Sequence, residues 1–171
     1  MSAGAVVWFT GLPASGKSTL ARTVSRRLER RGRRPILLDS DELRDAIAVG
    51  LGYGPKARSG FYAALANLAV LLAKQGHVVL VAATAHRRAY RDRARKQAGR
   101  FLEVFVDAPL EDCRGRDIKG LYRLAAKGKL RSLPGVGVRY EAPVHPEVVA
   151  RGGRDAEAVA RLIRLLARAG R

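Results

Sequence analysis

The run Gly11-Leu12-Pro13-Ala14-Ser15-Gly16-Lys17-Ser18 decides the fold of this chain. It satisfies the spacing G-x-x-x-x-G-K-[ST], with an apolar stretch before it (5–10) and an amphipathic pattern after it (17–31). Such a loop binds phosphate because its glycines let successive backbone N–H groups curl around the oxygens. The helix that follows adds unpaired donors and a partial positive charge. In this cradle Lys17 reaches the β- and γ-phosphates of a bound nucleotide. The Ser18 hydroxyl stands where Mg²⁺ bridges the same phosphates, with Thr19 beside it. The nine residues 11–19 are therefore the candidate phosphate-binding loop, and chance alone would not also supply the flanking strand and helix.

Outward from the loop, short apolar runs alternate with longer helical patterns. That alternation marks βα units stacked around a mostly parallel sheet. Strands are expected at 5–10, 35–39, 77–82, 101–107 and 147–150, each apolar or β-branched as strands buried on both faces are. Leu20, Val24 and Leu28 recur every four residues while Arg22, Arg26, Arg27 and Arg30 fall elsewhere, which predicts a helix over 17–31. Gly32 stops it. Similar patterns predict helices over 41–49, 61–75, 87–98 and 155–169. The expected fold is α/β: a P-loop NTPase-type three-layer sandwich, with a mostly parallel five-stranded sheet, helices on both faces and a C-terminal lid loop. One kinase-sized domain over residues 1–171 is expected.

The lid is expected at 115–146, where Gly, Pro, Lys and Arg are dense and apolar periodicity is brief. A short helix near 120–127 and then an irregular loop are predicted there; loops this long in compact domains are commonly functional.

The second apolar run ends in Asp39-Ser40-Asp41, followed by Glu42-Leu43-Arg44. Carboxylates at the C-terminal end of a parallel strand lie on the ligand side of the sheet. Asp39 is thus a candidate to orient Mg²⁺ together with Ser18, or to accept the proton of an attacking hydroxyl. The alternative is that Asp41 serves as the N-cap of the next helix, and both roles can coexist.

The 171 residues are 47% hydrophobic and 28% charged, enough for one core without a disulfide or metal staple. Thirty-three Lys and Arg against 15 Asp and Glu leave a net charge of +18, so the surface attracts phosphates, sulfates and polyanions. A basic nucleic-acid-binding module is the competing reading of that charge. Only 6% of residues are aromatic, too few for a base-stacking platform, and no helix-turn-helix pattern occurs. A lone Cys113 fits a reducing, cytoplasmic setting. No run approaches the ~20 apolar residues of a membrane span, no basic leader is evident, and the three histidines lack zinc spacing.

With these residues in hand, the chain resembles the adenylylsulfate kinases. The resemblance runs through 11–19, Asp39-Ser40-Asp41 with Arg44, Leu51-Gly52-Tyr53 with Arg58, and Arg88, Arg91 and Arg93. It continues through Pro109-Leu110-Glu111-Asp112-Cys113, Arg116-Asp117-Ile118-Lys119-Gly120-Leu121-Tyr122 and Tyr140-Glu141-Ala142-Pro143. The Arg-Asp-x-Lys-Gly-Leu-Tyr and Tyr-Glu-Ala-Pro runs are particular to that family. The resemblance implies ATP- and Mg²⁺-dependent phosphorylation of the 3′-hydroxyl of adenosine 5′-phosphosulfate (APS), giving PAPS and ADP, in a homodimer. It implies Lys17 and Asp39 as catalytic residues, Ser18 and Asp39 at the metal, and Arg116 on ATP. It places Asp41, Arg44, Tyr53, Arg58, Thr84 and Ala85 at the acceptor substrate, with Lys119, Gly120, Leu121 and Leu133 in the lid that covers it. An anionic phosphosulfate calls for Arg forks, and a lid that excludes water suppresses ATP hydrolysis.

Departures from the family pattern cluster in the acceptor half. An Asn and a pair of Arg are replaced by Phe61, Ala63 and Ala64, and a Phe-Ile-Ser-Pro run becomes Ala83-Thr84-Ala85-His86. A phenylalanine expected to sandwich the substrate adenine with Tyr53 becomes Leu133. Two explanations follow. Either the acceptor pocket for APS is re-furnished, with Phe61 supplying aromatic surface, or a different nucleotide-linked or sugar hydroxyl is the acceptor.

Overall fold

The computed structural model describes residues 4–48 and 50–168. Five strands, β1 (Ala5–Thr10), β2 (Ile36–Asp39), β3 (Val78–Ala82), β4 (Phe101–Val106) and β5 (Val148–Ala150), form one sheet in the order β2-β3-β1-β4-β5. Every strand pair is parallel. Parallel neighbours need crossovers, supplied by α1 (Lys17–Glu29), α2 (Ser40–Ile47), α3 (Pro55–Lys74), α4 (Arg88–Gln97), α5 (Leu110–Gly115) and α6 (Leu121–Ala126). The last helix, α7 (Ala156–Ala167), follows β5.

All six residues of β1 are buried, which fits its place in the middle of the sheet. Alternation sends Ala5, Val7 and Phe9 toward Leu20, Val24 and Leu28 of α1 and Leu162 and Leu166 of α7. Val6 and Trp8 face the other layer, packed with Phe61, Leu65 and Ala69 of α3 and Ala94 of α4. Helices therefore cover both faces, as continuous apolar strands require. The register sets Asp39 beside Ala82, and Ala82 beside Phe9, so the C-terminal ends of β2, β3 and β1 lie along one edge. That edge carries the phosphate loop, Asp39 and the turn 83–87, with Asp107 after β4.

The segment 109–147 folds over this edge. Tyr122, Cys113, Ala108 and Leu133 form a third apolar cluster that takes in Leu12 and Ala14 of the phosphate loop. The lid is thus packed against the cradle, and an isolated bridge between Pro134 and Val138 gives its loop some order. Asp117 accepts from the backbone N–H of Tyr122 and Arg123, capping the approach to α6.

Several expectations need correction. Helix α3 begins at Pro55, six residues before the expected start at 61. Pro55 at the first helical position has its φ preset and no N–H to satisfy, so the helix starts in a stretch, 55–60, with no apolar pattern. Helix α5 was absent from the expected elements, because a six-residue helix shows too little periodicity. Asp41 does not cap α2: Asp39 does, its Oδ1 accepting from Asp41 N at 3.0 Å, because the strand runs directly into the helix. The expected helices 41–49 and 155–169 run into Val49 and Ala169, which lie outside the described residues. No helix among the described residues is long and apolar enough to cross a membrane.

Candidate active site

The cradle is shaped by residues that must be small. A Cβ on Gly11 would lie 2.5 Å from the Val106 carbonyl oxygen, so the loop fits against the end of β4 only as glycine. A Cβ on Gly16 would lie 2.5 Å from the Gly153 nitrogen, in a left-handed conformation of φ +100°. Within this loop Lys17 Nζ donates to the carbonyls of Gly11 (3.1 Å) and Leu12 (2.7 Å). Burial pushes the Lys17 ammonium down to about 8, against the opposing pull of Asp41, Cys113 and Asp39. The Ser15 hydroxyl is buried and has no hydrogen-bond partner among the described residues. An orphaned donor and a half-desolvated ammonium in one loop fit a phosphate ligand, which satisfies both.

Ser18 Oγ donates to Asp39 Oδ2 at 2.5 Å, joining the first turn of α1 to the end of β2. Asp39 is only 5% exposed, and Arg22 lies 3.8 Å from its Oδ2. A hydroxyl and a carboxylate converging beside the cradle form the hard-oxygen donor pair that suits Mg²⁺, which binds few protein groups and keeps phosphate and water ligands. No group of three or more His, Cys, Asp or Glu suited to a metal occurs among the described residues.

Where the acceptor is expected, the Arg44 guanidinium lies against two rings, 4.1 Å from the centroid of Phe61 and 4.7 Å from that of Tyr53. Its Nη1 also donates to the Gly52 carbonyl at 3.1 Å. The cation–π attraction explains why a buried phenylalanine and an exposed tyrosine frame one cation. Arg58, also buried, donates to the Ser132 carbonyl at 2.7 Å, tying α3 to the lid. Lys119 pairs with Asp41 across the mouth, and Tyr122 Oη donates to the Pro13 carbonyl of the cradle at 2.8 Å. Arg116 Nη1 reaches the Ser15 carbonyl at 3.3 Å. Basic side chains of this segment therefore reach both the phosphate loop and the start of α2. Gly120 adopts the left-handed conformation that caps α6, and Leu121 packs into the lid cluster.

Most of the expected site residues thus gather at the C-terminal edge of the sheet. Thr84 and Ala85 lie there as well, Ala85 buried at φ +40° and Thr84 accepting through its carbonyl from Thr10 Oγ1 at 2.7 Å. Leu133 is 3% exposed and belongs to the lid cluster with Tyr122 and Leu12. Phe61 and Tyr53 both meet the Arg44 guanidinium.

Sequence reasoning missed a further wall. A cleft of about 1000 Å³ beside Gly16, Thr19 and Arg116 is lined by Arg151, Gly152, Gly153 and Arg154 of the β5–α7 loop. Its legible signal was the Gly152-Gly153 pair just before Asp155, which caps α7 by accepting from Ala158 N at 2.9 Å. A Cβ on Gly153 would come within 2.9 Å of the Gly16 carbonyl and of Thr19 Cβ, so the two loops touch only through glycine.

Comparison with known proteins agrees with this geometry. The family model for adenylylsulphate kinase matches residues 3–151. An adenylyl-sulfate kinase of Synechococcus sp. (strain JA-3-3Ab) is 43% identical over 146 residues, covering 85% of this chain and 83% of that protein. One from Paraburkholderia xenovorans is 40% identical over 171 residues, covering 98% and 96%. The structure of the Mycobacterium tuberculosis APS kinase CysC in complex with AMPPNP and APS superposes with a TM-score of 0.89 at 40% identity, covering 96% of this chain and 98% of that one. By sequence over most of its length and by fold, this chain belongs to the adenylylsulfate kinase family.

Proposed function

We propose that this chain transfers the γ-phosphoryl group of ATP to the 3′-hydroxyl of adenosine 5′-phosphosulfate, giving PAPS and ADP. The observation that carries the reading is the lid: the family's Arg-Asp-x-Lys-Gly-Leu-Tyr run reaches the phosphate loop through Arg116 and Tyr122 and the acceptor side through Lys119. One segment thereby spans donor and acceptor, as transfer between two bound anions requires.

In this reading ATP lies with its phosphates in residues 11–19 and its nucleoside in the cleft walled by Arg116 and 151–154. Lys17 leaves the Gly11 and Leu12 carbonyls for the β- and γ-phosphates. Asp39, flanked by Ser18 at the cradle and by the acceptor side, accepts the proton as the substrate oxygen attacks γ-phosphorus and the bond to the bridging oxygen breaks. Magnesium held by Ser18 and Asp39 supplies charge neutralisation to the phosphates. Arg44 and Arg58 turn from Gly52 and Ser132 to the phosphosulfate, and Tyr53 and Phe61 give its base two ring faces. The chain works as one kinase domain in a reducing cytoplasm, and the family likeness carries the expectation of a homodimer.

The test is direct. Purified protein with ATP, Mg²⁺ and APS should form PAPS, resolved chromatographically. A panel of other nucleotide-linked and sugar alcohols, assayed for ADP release, should give much weaker acceptors. A better acceptor in that panel would replace APS, and ATP binding without transfer to any acceptor would overturn the assignment.

A further inference from the structure

We infer that Arg91 is a positioning residue that holds the turn after β3 and the root of the lid in fixed relation for phosphoryl transfer. The inference rests on the reaction proposed above but on residues that the reaction does not use.

Arg91 is 1% exposed, and all three of its guanidinium nitrogens are taken up by protein acceptors. Its three outer nitrogens go to three separate segments. Nε donates to Glu103 Oε1 of β4 at 2.6 Å, Nη1 to the Ala85 carbonyl at 2.5 Å, and Nη2 to the Glu141 carbonyl at 2.7 Å. Charge balance needs only the first of these. Glu103 also receives Arg95, which in turn pairs with Glu147, so two cations meet two carboxylates. The other two bonds place backbone.

The backbone they hold is at the site. Ala85 is the buried residue at φ +40°, a conformation that side chains other than glycine seldom adopt and that persists only where surroundings enforce it. Its neighbour Thr84 is tied to Thr10, the last residue before the phosphate loop, and Thr10 Oγ1 lies 2.9 Å from Tyr140 Oη. Glu141, next to Tyr140, donates its N–H to the His86 carbonyl at 2.8 Å and accepts from Arg88 N at 2.8 Å. Turn 84–88 and lid root 140–141 are thus stitched together, and Arg91 grips the backbone of both. A planar guanidinium with donors in a fixed fork can hold two carbonyls and a carboxylate at once; a lysine ammonium is a point donor on a flexible stem.

Arg91→Lys therefore keeps the charge facing Glu103 and loses the fixed geometry. A second variant, Arg91→Met with Glu103→Gln, removes the charge pair together so that no buried carboxylate is stranded. Expected for folded variants, assayed well below their melting temperatures, is a fall of about tenfold or more in kcat/KM for APS. ATP affinity should stay within about twofold of wild type, measured by direct binding. Trypsin should cut ligand-free variants faster at Lys127, Lys129 and Arg131 in the lid. A packing role alone would lower the melting temperature and leave APS use, ATP affinity and lid cleavage of the folded protein unchanged, and that result would overturn the inference. If wild type makes no PAPS, the proposed reaction fails, and lid cleavage judges Arg91 separately. In wild type, amide exchange in 83–88 and 139–143 should slow together on adding AMP-PNP. Independent responses of the two segments would count against the coupling even if neither variant folds.

Discussion

In the proposed reaction Lys17 and Asp39 act as single groups, and their surroundings make definite predictions. Lys17→Ala should abolish phosphoryl transfer while leaving the fold intact, since its Nζ holds only loop carbonyls; circular dichroism and a PAPS assay check both halves. Burial holds the free Lys17 ammonium at about 8, and bound phosphates favour its charged form. Bound protein then carries the proton to higher pH than free protein. ATP affinity should fall as pH rises through about 8, with net proton uptake on binding near that pH. Calorimetry in buffers of different ionisation enthalpy measures the uptake, and proton release would contradict it. Without ligand the same shift makes stability rise between about 8 and the ordinary lysine value, because the unfolded chain binds more protons there. Asp39→Asn keeps an oxygen to cap α2 and turns an amide NH2 toward Ser18 Oγ, which can accept from it, but no longer accepts a proton, so transfer should fail with the melting temperature little changed. Arg44→Ala should raise KM for the acceptor and leave ATP affinity alone, since Arg44 lies with Tyr53 and Phe61 where the acceptor is expected.

Elements position these groups, and the cost of disturbing them follows from packing. Leu80 of β3 is fully buried against the α1 and α7 layer; Leu80→Ala should destabilise the protein by about 2–5 kcal/mol in urea unfolding. The lid is a smaller structure resting on a larger one. Tyr122→Phe removes its bond to the Pro13 carbonyl but preserves the apolar ring, at a cost of about 0.5–1.5 kcal/mol. That change should raise KM for ATP several-fold while lowering the melting temperature by only about a few degrees; an unchanged KM would show that the contact does not hold the lid over the cradle.

For the whole molecule, the +18 charge acts as a field. Acidic side chains are spent in specific places, such as Glu103 and Glu147 on Arg95 and Asp41 on Lys119, so the remaining arginines leave a basic surface. Anionic substrates are drawn to it, and kcat/KM should decline steadily as ionic strength rises while kcat changes little. A slope near zero would assign the surplus charge no part in capture. Light scattering checks the expected dimer.

The legibility of the fold followed the length of its signals. The five strands were readable as apolar or β-branched runs, α1, α4 and α7 because each repeats its helical period over more than two turns, and the phosphate loop because its spacing is itself the chemistry. Helix α5 and the first turns of α3 were not, since six residues of periodicity are too few and Pro55 starts a helix by conformation alone. Side-chain partners were legible only where a motif names them.

The sequence by itself determined the order of βα units, the phosphate loop and its family. Local periodicity and backbone geometry are written in neighbouring residues. Tertiary structure alone decided that Asp39 caps its own helix while facing Ser18, that Phe61 and Tyr53 both meet the Arg44 guanidinium, and that Leu133 joins the lid cluster. It also placed Gly153 against Gly16 and set Arg91 between Ala85 and Glu141. Most of those contacts join residues far apart along the chain, and which of them form is settled by the space left when both faces of the sheet are packed.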